Sequence, residues 1–284
     1  MNFALITPSY APDFERCRLL CQSVERFVAP PARHYLLIDR RDGPLFQSLA
    51  SDRVQLLFKE SMLPWWIGRV PFNRRWWWSL RSLPLRGWIV QQLMKIGVAN
   101  YIDADAYLFV DSDVCFIRPF DPQSLVRDGR LLLFRAPTAG NDAGQHRWHR
   151  TAARLLGLTE QDYFGASYIG SINTWRRDHL LAMYQQIEQT THQNWLLALA
   201  QQLHLSEYIL YGIFVEFILR DQHLHYFDAP DICHVSWDYP IHTMADVEQF
   251  FATIRPHHVA FMLASNLGYD VSQYASLIPS GATP

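Results

Sequence analysis

Lysine is nearly missing from this 284-residue chain: Lys59 and Lys95 are the only two among 25 basic side chains. Set against 27 acidic residues, the formal charge of -2 excludes a global pull toward nucleic acid or an anionic surface. Cys17, Cys21, Cys115 and Cys233 lack paired metal-ligand spacing. They read as reduced thiols of a cytoplasmic protein, not as a disulfide framework. No apolar run approaches the ~20 residues that span a bilayer. Met1–Ile6 has no basic leader and Pro8 follows at once, so no secretory signal is expected. The expectation is a soluble protein, or one peripheral to the inner face of a membrane. No Gly-Lys pair follows a glycine-rich turn and no GxGxxG follows a strand, which excludes phosphate-loop and dinucleotide sites.

What is present is a large apolar fraction, 49%, enough for a sizeable core in one domain or two closely joined halves. Short apolar runs predict buried strands at Phe3–Ile6, His34–Ile38, Val54–Phe58, Tyr107–Val110 and Leu131–Phe134. Asp13 is placed to cap a helix in which Phe14, Cys17, Leu20, Cys21, Val24 and Phe27 recur at three and four. Strands alternating with helices imply an α/β fold with a mostly parallel sheet. The second half reads as more helical, over 147–156, 178–189, 194–203 and 207–219. Short strands are expected near Tyr168–Ile172, His223–Phe227 and His257–Met262.

In parallel sheets ligands bind beyond the carboxyl ends of the strands. Thr7-Pro8-Ser9-Tyr10, Asp39 and Asp111-Ser112-Asp113 all fall at such ends. The last is the sharpest local signal, because an apolar strand delivers two carboxylates one residue apart to a turn. Hard divalent cations, Mn2+ or Mg2+, prefer such oxygen ligands. A cation there stabilises charge gathering on a departing diphosphate. Two capping aspartates would produce the same local pattern.

Five segments together resemble the GT-A fold of nucleotide-sugar glycosyltransferases, in particular bacterial glycosyltransferase-like proteins of surface polysaccharide synthesis. They are Ala4–Tyr10, Leu36–Asp39, Gly87–Ile96, Tyr107–Asp113 and Ser206–Gly212. The resemblance spans most of the chain and is densest up to Phe120. It implies one Rossmann-like domain, with residues 1–135 as the nucleotide-sugar half and 136–284 as the acceptor half. It implies transfer of a sugar, with UDP the expected nucleotide, to a hydroxyl of a saccharide or lipid-linked acceptor. Thr7, Pro8 and Tyr10 would line the base pocket, Asp39 would contact base or ribose, and Asp111 would lean toward ribose and metal. Asp113 would ligate the metal directly, and His234 would complete its shell, a hydrogen-bonded loop histidine being the alternative. Glu207 would deprotonate the acceptor, which would make the reaction inverting; a charge that only favours the helix N-terminus is the alternative for Glu207, and a retaining outcome stays open.

Gln91, Gln92 and Lys95 lie on a helix before the metal strand, where Gln91 and Lys95 share a face. A lysine near a diphosphate supplies point charge; a solvated helix face is the alternative. From Ser61 to Ile102 there is no acidic residue, while Arg69, Arg74, Arg75, Arg81 and Arg86 interleave with six tryptophans. Most of these indoles are expected to pack inward, and a peripheral membrane contact through 65–88 is the alternative. Gly140–Gly144 reads as a loop, and His146 and His149 as surface or acceptor-side residues. Two rival functions are kept. One is a haloacid-dehalogenase-like phosphatase with Asp111 as nucleophile. The other is a non-catalytic saccharide-binding module.

Overall fold

The computed structural model of the chain describes residues 1–279 other than Pro31, Phe72, Arg74 and 138–142. The loop expected at Gly140–Gly144 lies largely outside the described residues. In chain order the first strands are β1 (Phe3–Pro8), β2 (Arg33–Ile38), β3 (Val54–Phe58), β4 (Ile67–Arg69), β5 (Trp76–Ser79), β6 (Leu85–Arg86) and β7 (Ala106–Val110). The remainder are β8 (Val114–Phe116), β9 (Val126–Arg127), β10 (Arg130–Phe134), β11 (Ile172–Arg176), β12 (His225–Asp228), β13 (Cys233–Val235) and β14 (Ala260–Met262).

The fold is α/β. Its largest sheet has five strands in the order β11-β7-β1-β2-β3. β1 pairs parallel with β2, and β2 with β3. Parallel strands are covered on both faces, which is why β1 and β7 are uninterrupted buried runs. The run Leu131–Phe134 does form a strand, β10, but it belongs to a separate sheet ordered β12-β10-β9. The fifth strand of the main sheet is instead β11, which begins at Ile172, where the strand expected from Tyr168 would have ended. An apolar run marks burial without naming its partner, so both corrections concern pairing.

Two compact units are distinguishable. The first comprises residues 1–58, 108–126 and 230–284. One core cluster gathers Cys17, Cys21, Leu36, Ile38, Phe46 and Val54, and another gathers Phe250, Phe251, Phe261 and Tyr274. Helix Phe14–Phe27 has the expected apolar face, but Asp13 makes no side-chain capping bond to it. The second unit comprises residues 59–107 and 127–229, so the boundary expected near residue 135 falls inside it. Here Trp175 stacks on Tyr211 with centroids 4.8 Å apart, and Tyr208 meets it edge-on at 5.6 Å. The helix expected over 207–219 is α-helical from Glu207 to Ile213 and continues as a π-helix over Phe214–Leu219. Among the described residues no helix is long and apolar enough to cross a membrane.

Candidate metal centre and a buried ion pair

The carboxylate turn is built by its flanking strands. β7 is buried throughout and ends at Val110, so the chain emerges at Asp111. The turn closes with Val114 N–H donating to the Asp111 carbonyl at 3.1 Å. β8 then pairs antiparallel with β14, which draws the turn against residues 263–265. Leu263 N–H donates to the Asp113 carbonyl at 3.3 Å, and Ser265 N–H to Asp113 Oδ2 at 3.0 Å.

A third carboxylate joins the pair. Asp13, freed from capping duty, accepts a hydrogen bond from the Ser112 side chain and feels the charge of Asp111. Its Oδ1 is 3.3 Å from Arg16 Nη1, and Arg16 Nη2 donates to the Tyr269 carbonyl at 2.6 Å. Crowding shows in the acidities. Burial, then Asp111 and Asp13, push the Asp113 carboxyl up to about 6 against the lowering effect of Ser265. Burial raises Asp13 as well, opposed by Arg16 and Ser112. Asp111 and Asp113 offer oxygen donors of the kind a hard divalent cation prefers; Asp13 feels their charge, but the three carboxylates are not among the described groups whose ligand atoms lie within 4.8 Å of one another. Sequence reasoning passed over Asp13 because an acidic residue before an amphipathic run is a common helix start.

The strand end carrying this turn is held by a buried relay. Thr7 donates its hydroxyl to the Val110 carbonyl at 2.8 Å. Thr7 Oγ1 then accepts from His34 Nε2, also at 2.8 Å. That tautomer leaves His34 Nδ1 facing Cys21 Sγ at 4.0 Å. Burial, aided by the Arg53 charge, lowers the His34 pKa to about 3, so the ring is neutral. Thr7 is thus fully buried and its hydroxyl joins strands. Pro8 is buried beside it, whereas Tyr10 is 42% exposed. Burial and then the charge of Asp13 raise the Tyr10 phenol, against the lowering effect of Arg16. Asp39 is buried at the end of β2 with Arg41 Nη2 3.5 Å from its Oδ2.

His234 sits on β13 with its Nε2 2.9 Å from the Phe250 carbonyl, an arrangement that requires that nitrogen to donate. Its ring stacks on Phe250 at 4.4 Å. The nearby group Asp231, His257 and His258 brings ligand atoms within 4.8 Å of one another. Arg255 N–H donates to His258 Nδ1, however, so the neutral ring carries its proton on Nε2, toward Asp231 Oδ1 at 3.1 Å. That geometry describes a hydrogen-bonded His–Asp network. A surface depression of about 970 Å³ lies between helix Phe14–Phe27 and residues 48–54, but none of the three carboxylates lines it.

The second unit holds the other expected residues. Lys95 is buried, not on a solvated face, with Nζ 3.2 Å from Glu207 Oε1 and 2.9 Å from the Tyr208 hydroxyl. Glu207 N–H donates to Gln92 Oε1 at 3.1 Å, so Gln92 and not Gln91 reaches it. Ser206 caps the helix through Ile209 N–H. Lys95 and Gln92 together fix the position of Glu207 at the start of this helix. Glu216 accepts two bonds from Arg135, at 2.8 and 3.0 Å, and one from the Tyr168 hydroxyl at 2.6 Å. His149, expected at the surface or on the acceptor side, is fully buried against Tyr163 and Phe164.

The fold and site define an α/β protein with a carboxylate pair at the carboxyl end of a buried strand. Residues 4–261 match a family described as a family of unknown function (DUF6492), and the chain belongs to that family. No curated protein matches it.

Proposed function

We propose that this chain is a GT-A-type, metal-dependent glycosyltransferase that moves a sugar from a nucleoside diphosphate, UDP foremost, to a hydroxyl of a saccharide or lipid-linked acceptor in surface glycan synthesis. The observation that carries this reading is the carboxylate pair Asp111 and Asp113 at the carboxyl end of the buried strand β7, with Asp113 Oδ2 held by Ser265 N–H at 3.0 Å and Asp13 near enough to feel their charge. Asp111 and Asp113 would hold Mn2+ or Mg2+. When bound, the cation supplies Lewis-acid stabilisation to a diphosphate leaving group.

The protein's own part is positioning. Thr7 and His34 fix the strand end so that the carboxylates do not reorganise when a ligand arrives. The exposed Tyr10 offers a ring face to a nucleobase, and Asp39 a buried carboxylate toward base or ribose. The Lys95–Glu207 pair orders the start of helix Glu207–Ile213 in the more helical unit. The phosphatase reading asks for its nucleophile on the first strand of the fold, whereas Asp111 follows the seventh.

A nucleotide-sugar panel read by thermal shift, with and without Mn2+, tests the proposal. A ligand at ~100-fold over its dissociation constant stabilises by about 2.7 kcal/mol. A shift that needs both cation and nucleotide supports the reading, and no cation-dependent shift with any donor rejects it.

A further inference from the structure

The tryptophan-rich segment forms its own antiparallel sheet, β4-β5-β6. Along β5 the residues alternate: Trp77 is buried, while Trp76 and Trp78 are each 37% exposed. Cross-strand pairing sets Trp78 over Gly68 and Trp76 opposite Arg86. A Cβ on Gly68 would stand 2.2 Å from the Trp78 ring, so only glycine lets this indole lie flat across the sheet. Beyond the strand ends, Trp65, Leu80 and Leu83 are 73%, 67% and 66% exposed. Arg81 lies over Trp65 at 5.7 Å and Arg86 over Trp76 at 5.8 Å. An apolar groove of about 350 Å³ opens beside the sheet, lined among others by Trp76, Leu83, Leu85, Ile89 and Leu203.

A cluster of exposed indoles and leucines of this extent marks an interaction surface. Its charge selects the occupant. No acidic residue occurs from Ser61 to Ile102, and among the described residues Arg81 and Arg86 have no ion pair. Indoles and leucines interleaved with charge of one sign match the boundary of an anionic bilayer, where rings settle at headgroup depth and guanidiniums meet phosphates. We propose that the outer face of β4-β5-β6 docks this protein on an anionic lipid bilayer, with Trp65, Leu80 and Leu83 entering the interface and Arg81 and Arg86 engaging lipid phosphates. This stands apart from the transfer reaction, since none of these residues belongs to the carboxylate cluster.

Flotation tests it, using vesicles of phosphatidylcholine alone and of phosphatidylcholine mixed with phosphatidylglycerol. The full chain should float with the anionic vesicles, at least about tenfold less with the neutral ones, and be released by high salt. Leu80→Glu with Leu83→Glu, and separately Arg81→Glu with Arg86→Glu, should each abolish flotation while the melting temperature is kept. Trp65→Ala serves if either double variant fails to fold. No flotation with anionic vesicles overturns the proposal, as does equal flotation of the variants. A concentration-dependent dimer without flotation, lost in Leu80→Glu with Leu83→Glu, would assign the face to a second copy and also overturn it.

Discussion

Lys95 Nζ lies 3.2 Å from Glu207 Oε1, and both side chains are nearly sealed from water, at 2% and 7% exposure. Such a pair is worth less than the loss of either member, because one charge left alone keeps its desolvation penalty. Lys95→Met and Glu207→Gln should each destabilise the protein by about 3–5 kcal/mol in urea unfolding. The double substitution should cost clearly less than their sum. Strict additivity would show that the two side chains act independently. If Glu207 is also the acceptor base, Glu207→Gln removes turnover in addition to lowering the urea midpoint.

The carboxylate cluster makes the opposite prediction for stability. Asp113 is raised to about 6, so at neutral pH its charged form is disfavoured in the folded state. Replacing it with the neutral isostere removes that repulsion. Asp113→Asn should therefore raise the unfolding free energy without cation by about 1–2 kcal/mol. It should also abolish stabilisation by Mn2+. Asp13→Asn should do both more weakly, because Arg16 already offsets part of its charge. Undiminished Mn2+ stabilisation in Asp113→Asn would place the cation elsewhere.

Sequence legibility followed the range of the interactions. β3 is readable to the residue as the short run Val54–Phe58, although only Val54 in it is buried. β1 runs two residues further than its apolar core, because Thr7 turns inward to Val110 and His34, partners remote in sequence. Asp13 looked like a cap because its local neighbourhood is that of a helix start. Only the fold brings Ser112 and Asp111 to it. The Lys95 partner was unreadable for the same reason, although Lys95 and Glu207 had each been singled out. The three consecutive tryptophans were legible in principle. Period-two alternation alone exposes the outer pair and buries the middle one. The expectation of inward packing set that aside, yet Trp65, Trp76, Trp78 and Trp88 are all exposed.

Two glycines should respond in opposite directions. A Cβ on Gly212 would stand 2.1 Å from the Tyr168 ring. Gly212→Ala should displace that ring, break its bond to Glu216 and cost about 1–3 kcal/mol or more. Gly97 ends its helix with ordinary right-handed angles, and its Cβ would touch only Trp195, at 3.6 Å. Gly97→Ala should be neutral or stabilise by about 0.4–1 kcal/mol by restricting the unfolded chain. Calorimetric melting of both variants checks the pair, and equal losses would contradict the packing described.

Acid should weaken the fold from about pH 6.5 downward. His34 is lowered to about 3, and His149 and His179 to about 4, in each case chiefly by burial. His225 is held well below the ordinary value by the same cause. Between those values and the ordinary 6.5, the unfolded chain binds protons that the folded chain refuses. Stability therefore rises with pH through this window and is lost on acidification. Each group contributes at most about 1.4 kcal/mol per pH unit. Asp113 and Asp13 act in the opposite sense below their raised values, but His223, His234 and His258 are lowered as well, so the histidines outnumber them. Urea midpoints should thus fall steadily between about pH 6.5 and 4.5. Replacing His34 by Gln should flatten that slope by one group's share. A profile level across this window would mean that the four rings protonate as readily in the folded protein as in the unfolded chain.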